Sequence, residues 1–234
     1  MKQISIVFQY IFLSIIAALL LLFVALFKIS NENHLELKEL IFVSITFIIS
    51  CIIGISLTVY PGWIRRVLKN KNHELNNKTI KKIERKRQGH HPNCEQFKSH
   101  TIKIKNKILC AGCFGLAIGS IISILLIIIY IFFSIKISSD ISLYLLIICF
   151  IIIGLVFLEI MLNKQKTVIH IISNGLLIIS FLTITISITE ITGSAMYGII
   201  SIILSFLWLD TRIQLSNWNH GQICKNCNKN CKMY

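Results

Sequence analysis

The chain has 234 residues, 55% hydrophobic and only 15% charged, with a net charge of +14 and a mean hydropathy of +0.75. Such hydrophobicity excludes a disordered chain, and soluble domains carry roughly 25% charged residues to coat their surface. Two Pro and 11 Gly exclude collagen-like or linker material.

The charges and the apolar residues are almost completely segregated. The first uncharged run, Gln3 to Phe27, has 25 residues. It follows Met-Lys but is too long for the apolar region of a signal peptide, and no small-x-small cleavage site precedes Lys28, so it reads as an anchor. A second run of 25 residues extends from Leu40 to Ile64. Near its end Pro61-Gly62-Trp63 reads as a bend with an aromatic anchor at the membrane interface.

The segment from Arg65 to Lys107 then holds 14 Lys/Arg against Glu74, Glu84 and Glu95. Phe97 is its one aromatic residue. Single-stranded nucleic acid is held on several stacking aromatics, so the segment is read as a contact for anionic lipid headgroups instead. Val67, Leu68, Leu75, Ile80 and Ile83 punctuate it as a juxtamembrane surface helix would require.

Four further runs follow: Ile108 to Ile135 (28 residues), Ile141 to Leu158 (18), Thr167 to Thr189 (23) and Ile191 to Leu209 (19). The 18-residue run reaches a full span if it continues past Glu159 to Leu162. A hydrocarbon core about 30 Å thick needs roughly 20 helical residues, and barrel strands would alternate apolar with polar. Although many residues are Ile, an isolated segment in lipid must satisfy its backbone internally, which selects the helix. The expected fold is all-α: a six-helix transmembrane bundle with a small cytoplasmic Cys/His-rich cap. Its parts are helices one and two (1–64), a basic cytoplasmic Cys/His loop (65–112), helices three to six (113–209) and a cytoplasmic Cys-rich tail (210–234).

Alternation of six spans puts +16 on the side of the basic loop and −2 on the other. By the positive-inside rule both termini are cytoplasmic, in a multi-pass protein of the cell membrane. The net charge is thus read as topology.

Two of the eight cysteines, Cys51 and Cys149, fall inside apolar runs and are read as packing. The other six fall on the basic face with several histidines. His90, His91, Cys94, His100, Cys110 and Cys113 form one group; His220, Cys224, Cys227 and Cys231 form another. Cytoplasmic thiols stay reduced, which favours metal ligation over disulfides. In Cys110-Ala-Gly-Cys113, Gly112 is expected in a tight turn with unusual backbone angles. Cys94 with His90, His91 or His100 would supply the remaining ligands, and His91, Cys94, Cys110 and Cys113 are the preferred set. The tail could complete a second tetrahedral site, or the two groups could share one. Zinc suits mixed Cys/His ligands best, with an iron–sulfur cluster as the alternative for the tail.

Other polar and small residues have quieter readings. His34 and His73 are solvated. Glu159, His170 and Asp210 lie at helix ends, where interfacial snorkelling makes them inexpensive, although an acidic/His cluster there would be a functional candidate. Gly115 and Gly119 form a small-xxx-small pair for close helix packing, with Gly193 and Gly198 in a similar role. Trp208 and Trp218 are expected in the aromatic belt. No enzyme motif is present, so no catalytic residue is assigned.

The stretch His91-Pro-Asn-Cys94 … Leu109-Cys110-Ala-Gly-Cys113-Phe-Gly115-x3-Gly119 resembles an uncharacterised family of prokaryotic multi-pass membrane proteins, a domain of unknown function. Members carry a Cys-rich cytoplasmic segment running through Leu-Cys-Ala-x-Cys-x-Gly-x3-Gly into a helix. The likeness covers about thirty residues here and implies architecture, with no mechanism. Where members often place His after the first Cys, this chain has Glu95, which leaves His90, His91 or His100 to supply nitrogen. The tail Trp218-x-His220-x3-Cys224-x2-Cys227 resembles an archaeal-type branch. Three functions are consistent with these features: a metal-organised docking face for lipid or a protein partner, a redox protein with an iron–sulfur or thiol centre, and a metal-handling transporter.

Overall fold

The structure is a computed structural model that describes residues 2–28, 36–59, 100–104, 107–133, 135–162 and 166–225. Six long helices dominate it: α1 (Lys2–Lys28), α2 (Leu37–Val59), α3 (Ala111–Phe132), α4 (Ser139–Met161), α5 (Thr167–Thr192) and α6 (Ala195–Lys225). All six are long and apolar enough to cross a bilayer. The protein is a multi-pass membrane protein built as an all-α bundle.

The helices do not share the core equally. Of the membrane window of α5, 56% is buried, against 22 to 39% for the others, so α5 is the central helix. It packs on α3, α4 and α6; α2 lies against α3 and α1 against α6. Large apolar side chains such as Phe12, Leu20, Ile53, Leu125, Leu155 and Ile203 point outward, where lipid replaces the protein core as the apolar solvent.

Small residues set the closest approaches. A Cβ on Gly119 would stand 2.6 Å from the Gly175 carbonyl oxygen, and one on Gly115 would collide with the backbone of Ile171. The α3–α5 crossing therefore needs glycine, as small-xxx-small spacing indicates. Gly198 serves α6 in the same way, facing Thr189 and Val43. Gly193 differs: at φ 60° it caps α5, its N–H bonded to the Thr189 carbonyl at 2.9 Å.

α5 carries many hydroxyls through the core. Three of them are satisfied locally, Thr185, Thr189 and Thr192 donating to the carbonyls of Phe181, Thr185 and Ile188. Ser201 of α6 also reaches Thr185, at 3.1 Å. Cys51 and Cys149 are buried free thiols, as expected of packing residues.

Two differences from the sequence reading bear on the site. The third apolar run does not open as helix. Thr101–Ile104 (β1) and Lys107–Cys110 (β2) form an antiparallel hairpin, with Thr101 opposite Cys110 and Ile104 opposite Lys107. The sixth helix does not stop at Leu209 but continues to Lys225. At 1.5 Å per residue its 31 residues span about 46 Å, well beyond a hydrocarbon core of about 30 Å.

Trp208 also departs from expectation. It is 1% exposed rather than in an interfacial belt, because its indole N–H donates to the Ser14 carbonyl at 3.1 Å while Phe150 and Phe181 pack on its rings. Trp218 is only partly buried, and Trp63 lies outside the described residues.

Candidate functional site

The hairpin places its first neighbour where the helices converge. Pairing of Thr101 with Cys110 brings the preceding residue, His100, beside the start of α3. His100 is buried, and its ring meets two others edge-on: His170 at 5.3 Å and His220 at 5.4 Å between centroids. His170 comes from the start of α5 and His220 from the extension of α6, so three distant segments join in one cluster.

Charged groups complete it. Glu159, near the end of α4, accepts a hydrogen bond from the Ser173 hydroxyl at 2.6 Å through Oε2. Its Oε1 faces His170 Nδ1 at 3.5 Å, an ion-pair separation. The His170 carbonyl accepts from Asn174 Nδ2 at 2.5 Å, which ties the first turns of α5 together. Asn219 Nδ2 donates to the Ile160 carbonyl at 2.7 Å, fastening the α6 extension to the end of α4.

Arg212 of α6 lies against the first turn of α3. A Cβ at Gly112 would clash with its guanidinium and stand 3.0 Å from His170 Nε2. Arg212 is 7% exposed, and among the described residues its Nε has no hydrogen-bond partner and no carboxylate lies within ion-pair reach. The charge was legible in the sequence, but only as a contribution to topology.

Of the expected acidic/His group, Glu159 and His170 meet while Asp210 does not join them. Two helical positions separate Asp210 from Arg212, about 200° around the axis. Asp210 consequently faces α1, on the side of Tyr10. These groups are structured polar contacts, not snorkelling side chains: His170 is 4% exposed.

Cys110 caps α3 with extended backbone angles and Cys113 lies in its first turn. The two residues are three positions apart where the helix begins, so their side chains are neighbours there. The expected tight turn at Gly112 with unusual angles is not what forms; among the described glycines only Gly193 has positive φ. A helix already puts residues three apart on one face, so Cys-x2-Cys needs no strained turn. Gly112 is required by Arg212 and His170 instead.

The remaining candidate ligands divide clearly. His90, His91, Cys94, Cys227 and Cys231 lie outside the described residues, as does the side chain of Cys224. His220 is drawn to His100, so members of the two sequence groups meet on one side of the bundle. Among the described residues no three His, Cys, Asp or Glu side chains converge closely enough to hold a metal ion.

Comparison of the chain with protein-family models, with curated proteins and with solved structures gives no match.

Proposed function

We propose that the chain is a cell-membrane protein with both termini in the cytoplasm, whose cytoplasmic face is organised by a Cys/His metal centre. The single observation behind this reading is the placement of Cys110 and Cys113 three residues apart at the start of α3, with His100 beside them at the start of the hairpin. Two soft sulfur donors from one helical turn suit zinc, and two more ligands close a tetrahedral structural site. His91 and Cys94 are the preferred pair, with His90 or His100 as substitutes. Because His220 reaches His100, a centre shared between loop and tail is favoured over two separate ones, and Cys224, Cys227 and Cys231 would then lie beside it. The basic loop around the centre would dock anionic headgroups or a protein partner.

Elemental analysis of the detergent-purified chain tests this reading. The expected result is about one zinc or more per chain, lost in a Cys110→Ser/Cys113→Ser double variant. Metal below about half an ion per wild-type chain overturns it.

A second reading draws on the same pair. Cys110 at the helix cap and Cys113 three residues on also have the Cys-x2-Cys spacing of a dithiol pair. A redox role would oxidise both thiols to a disulfide, passing two electrons and two protons to an oxidising disulfide partner. A metal-free chain that forms a reversible Cys110–Cys113 disulfide supports this alternative, while a colourless zinc-loaded chain rejects it and the iron–sulfur version.

A further inference from the structure

Arg212 is the least explained residue in the bundle. It is a guanidinium, more than nine-tenths buried, with an unpartnered Nε and no carboxylate at contact distance among the described residues. Burial of a charge is strongly unfavourable unless a counter-charge and hydrogen bonds replace water. Glu159 is the nearby acid and attracts Arg212 without touching it, its oxygens facing Ser173 and His170 instead.

What surrounds the guanidinium is built for an anion. It lies on Gly112 in the first turn of α3, a 22-residue helix whose cap residue Cys110 offers no side-chain hydrogen bond to that turn. Free N–H groups and the helix dipole make such a turn favourable for negative charge. His170 Nε2 approaches the same side of Gly112, with Glu159 facing the ring's other nitrogen. Gly112 is what allows both side chains to come this near the backbone.

We infer that Arg212, His170 and the first turn of α3 form a binding site for a phosphate-class oxyanion. The planar fork of Arg matches two oxygens of a phosphate, which a spherical halide cannot use. The site sits where the α3 span begins at Ala111, the level at which a bilayer presents its headgroup phosphates. Two sources share this chemistry, a lipid headgroup and free phosphate.

The test uses the full chain, delipidated in detergent, with thermal unfolding as the readout. Inorganic phosphate should raise Tm saturably, and potassium chloride at matched ionic strength should not. In parallel, the chain is placed in bilayers of phosphatidylcholine with or without phosphatidic acid. A response to inorganic phosphate identifies a free anion; a response only to phosphatidic acid identifies a headgroup. Both support the site, and no response to either overturns it. Arg212→Gln should weaken the response about tenfold or more, the loss of roughly 1.4 kcal/mol. Gly112→Ala should do the same while keeping the charge, by displacing the guanidinium. Asp210→Asn, on the far face of α6, should leave it intact. An unchanged response in both Arg212→Gln and Gly112→Ala overturns the proposal. So does a wild-type chain that answers phosphate and chloride alike, whether or not the variants fold.

Discussion

Gly119 of α3 and Gly175 of α5 meet backbone to backbone, with no side chain between them. A methyl at position 119 would stand 2.6 Å from a carbonyl oxygen that cannot swing aside. Gly119→Ala should therefore push the helices apart and cost about 1–3 kcal/mol, the usual range for overpacking. Gly154 supplies the control, since nothing lies within 4 Å of a Cβ there. Gly154→Ala should leave Tm in detergent unchanged or slightly raised, because Ala is the better helix former. Equal losses in both variants would mean that the close approach at Gly119 does not govern the α3–α5 crossing.

The α1–α6 seam offers a second test. Trp208 donates to the Ser14 carbonyl, and the Ser14 hydroxyl pairs with Thr211 at 2.7 Å. Thr211 spends its own proton on the Leu207 carbonyl, so Ser14 is left to donate to Thr211. Trp208→Phe and Ser14→Ala should each lower stability by about 1 kcal/mol, within the range for hydrogen bonds between membrane helices. The Ser14 variant keeps the carbonyl and hence the indole bond. The two losses should accordingly add, as a double-variant cycle in detergent would show.

These seams explain what could be read from the sequence. Segregation of charge sufficed for six helices, since lipid forbids exposed backbone and leaves little choice of structure. Gly115 and Gly119 were legible as a packing pair because spacing of four alone determines a helix face. The hairpin was legible in principle: Thr-Ile-Lys-Ile and Lys-Ile-Leu-Cys are short β-rich segments separated by Lys105-Asn106. Its first strand falls in the basic segment, and its second merges with the third apolar run because Ile108 and Leu109 also suit a membrane helix. The site itself was not legible. His100, His170, Arg212 and His220 are brought together only by the hairpin register and by the length of α6, and neither leaves a local pattern.

At the opposite end of the bundle, the Tyr130 hydroxyl of α3 donates to the Glu190 carboxylate of α5. Glu190 was an end marker in the sequence; in the structure it lies within α5 and ties it to α3. Tyr130→Phe should remove that tie and lower stability by about 1–3 kcal/mol, since its loss leaves a partly buried acceptor unmet. Adding Glu190→Gln to Tyr130→Phe should cost little more. If Tyr130→Phe leaves Tm unchanged, the contact has no role in holding that end closed.

The sidedness of the cluster gives a last prediction. Cys110 and Cys113 lie at the end of α3 nearest the basic segment, whereas Lys136 follows the other end of the same helix. On the proposed orientation, taken from the charge split, the first end is cytoplasmic. In a background where the other cysteines are replaced, a cysteine introduced as Lys136→Cys should react with a membrane-impermeant maleimide added to intact cells. The Cys110/Cys113 pair should react only when the reagent is admitted to the interior by inverted vesicles, and only after chelation if a metal holds the thiols. Removing metal should therefore do two things together: open the pair to labelling and lower Tm, because ligand binding to the folded state is a stability term. Labelling of Cys110 and Cys113 from outside would reverse the assigned orientation. Labelling from inside at the same rate with and without chelator would instead leave the thiols free of metal and favour the redox reading, since chelation acts on a ligand but not on an idle thiol.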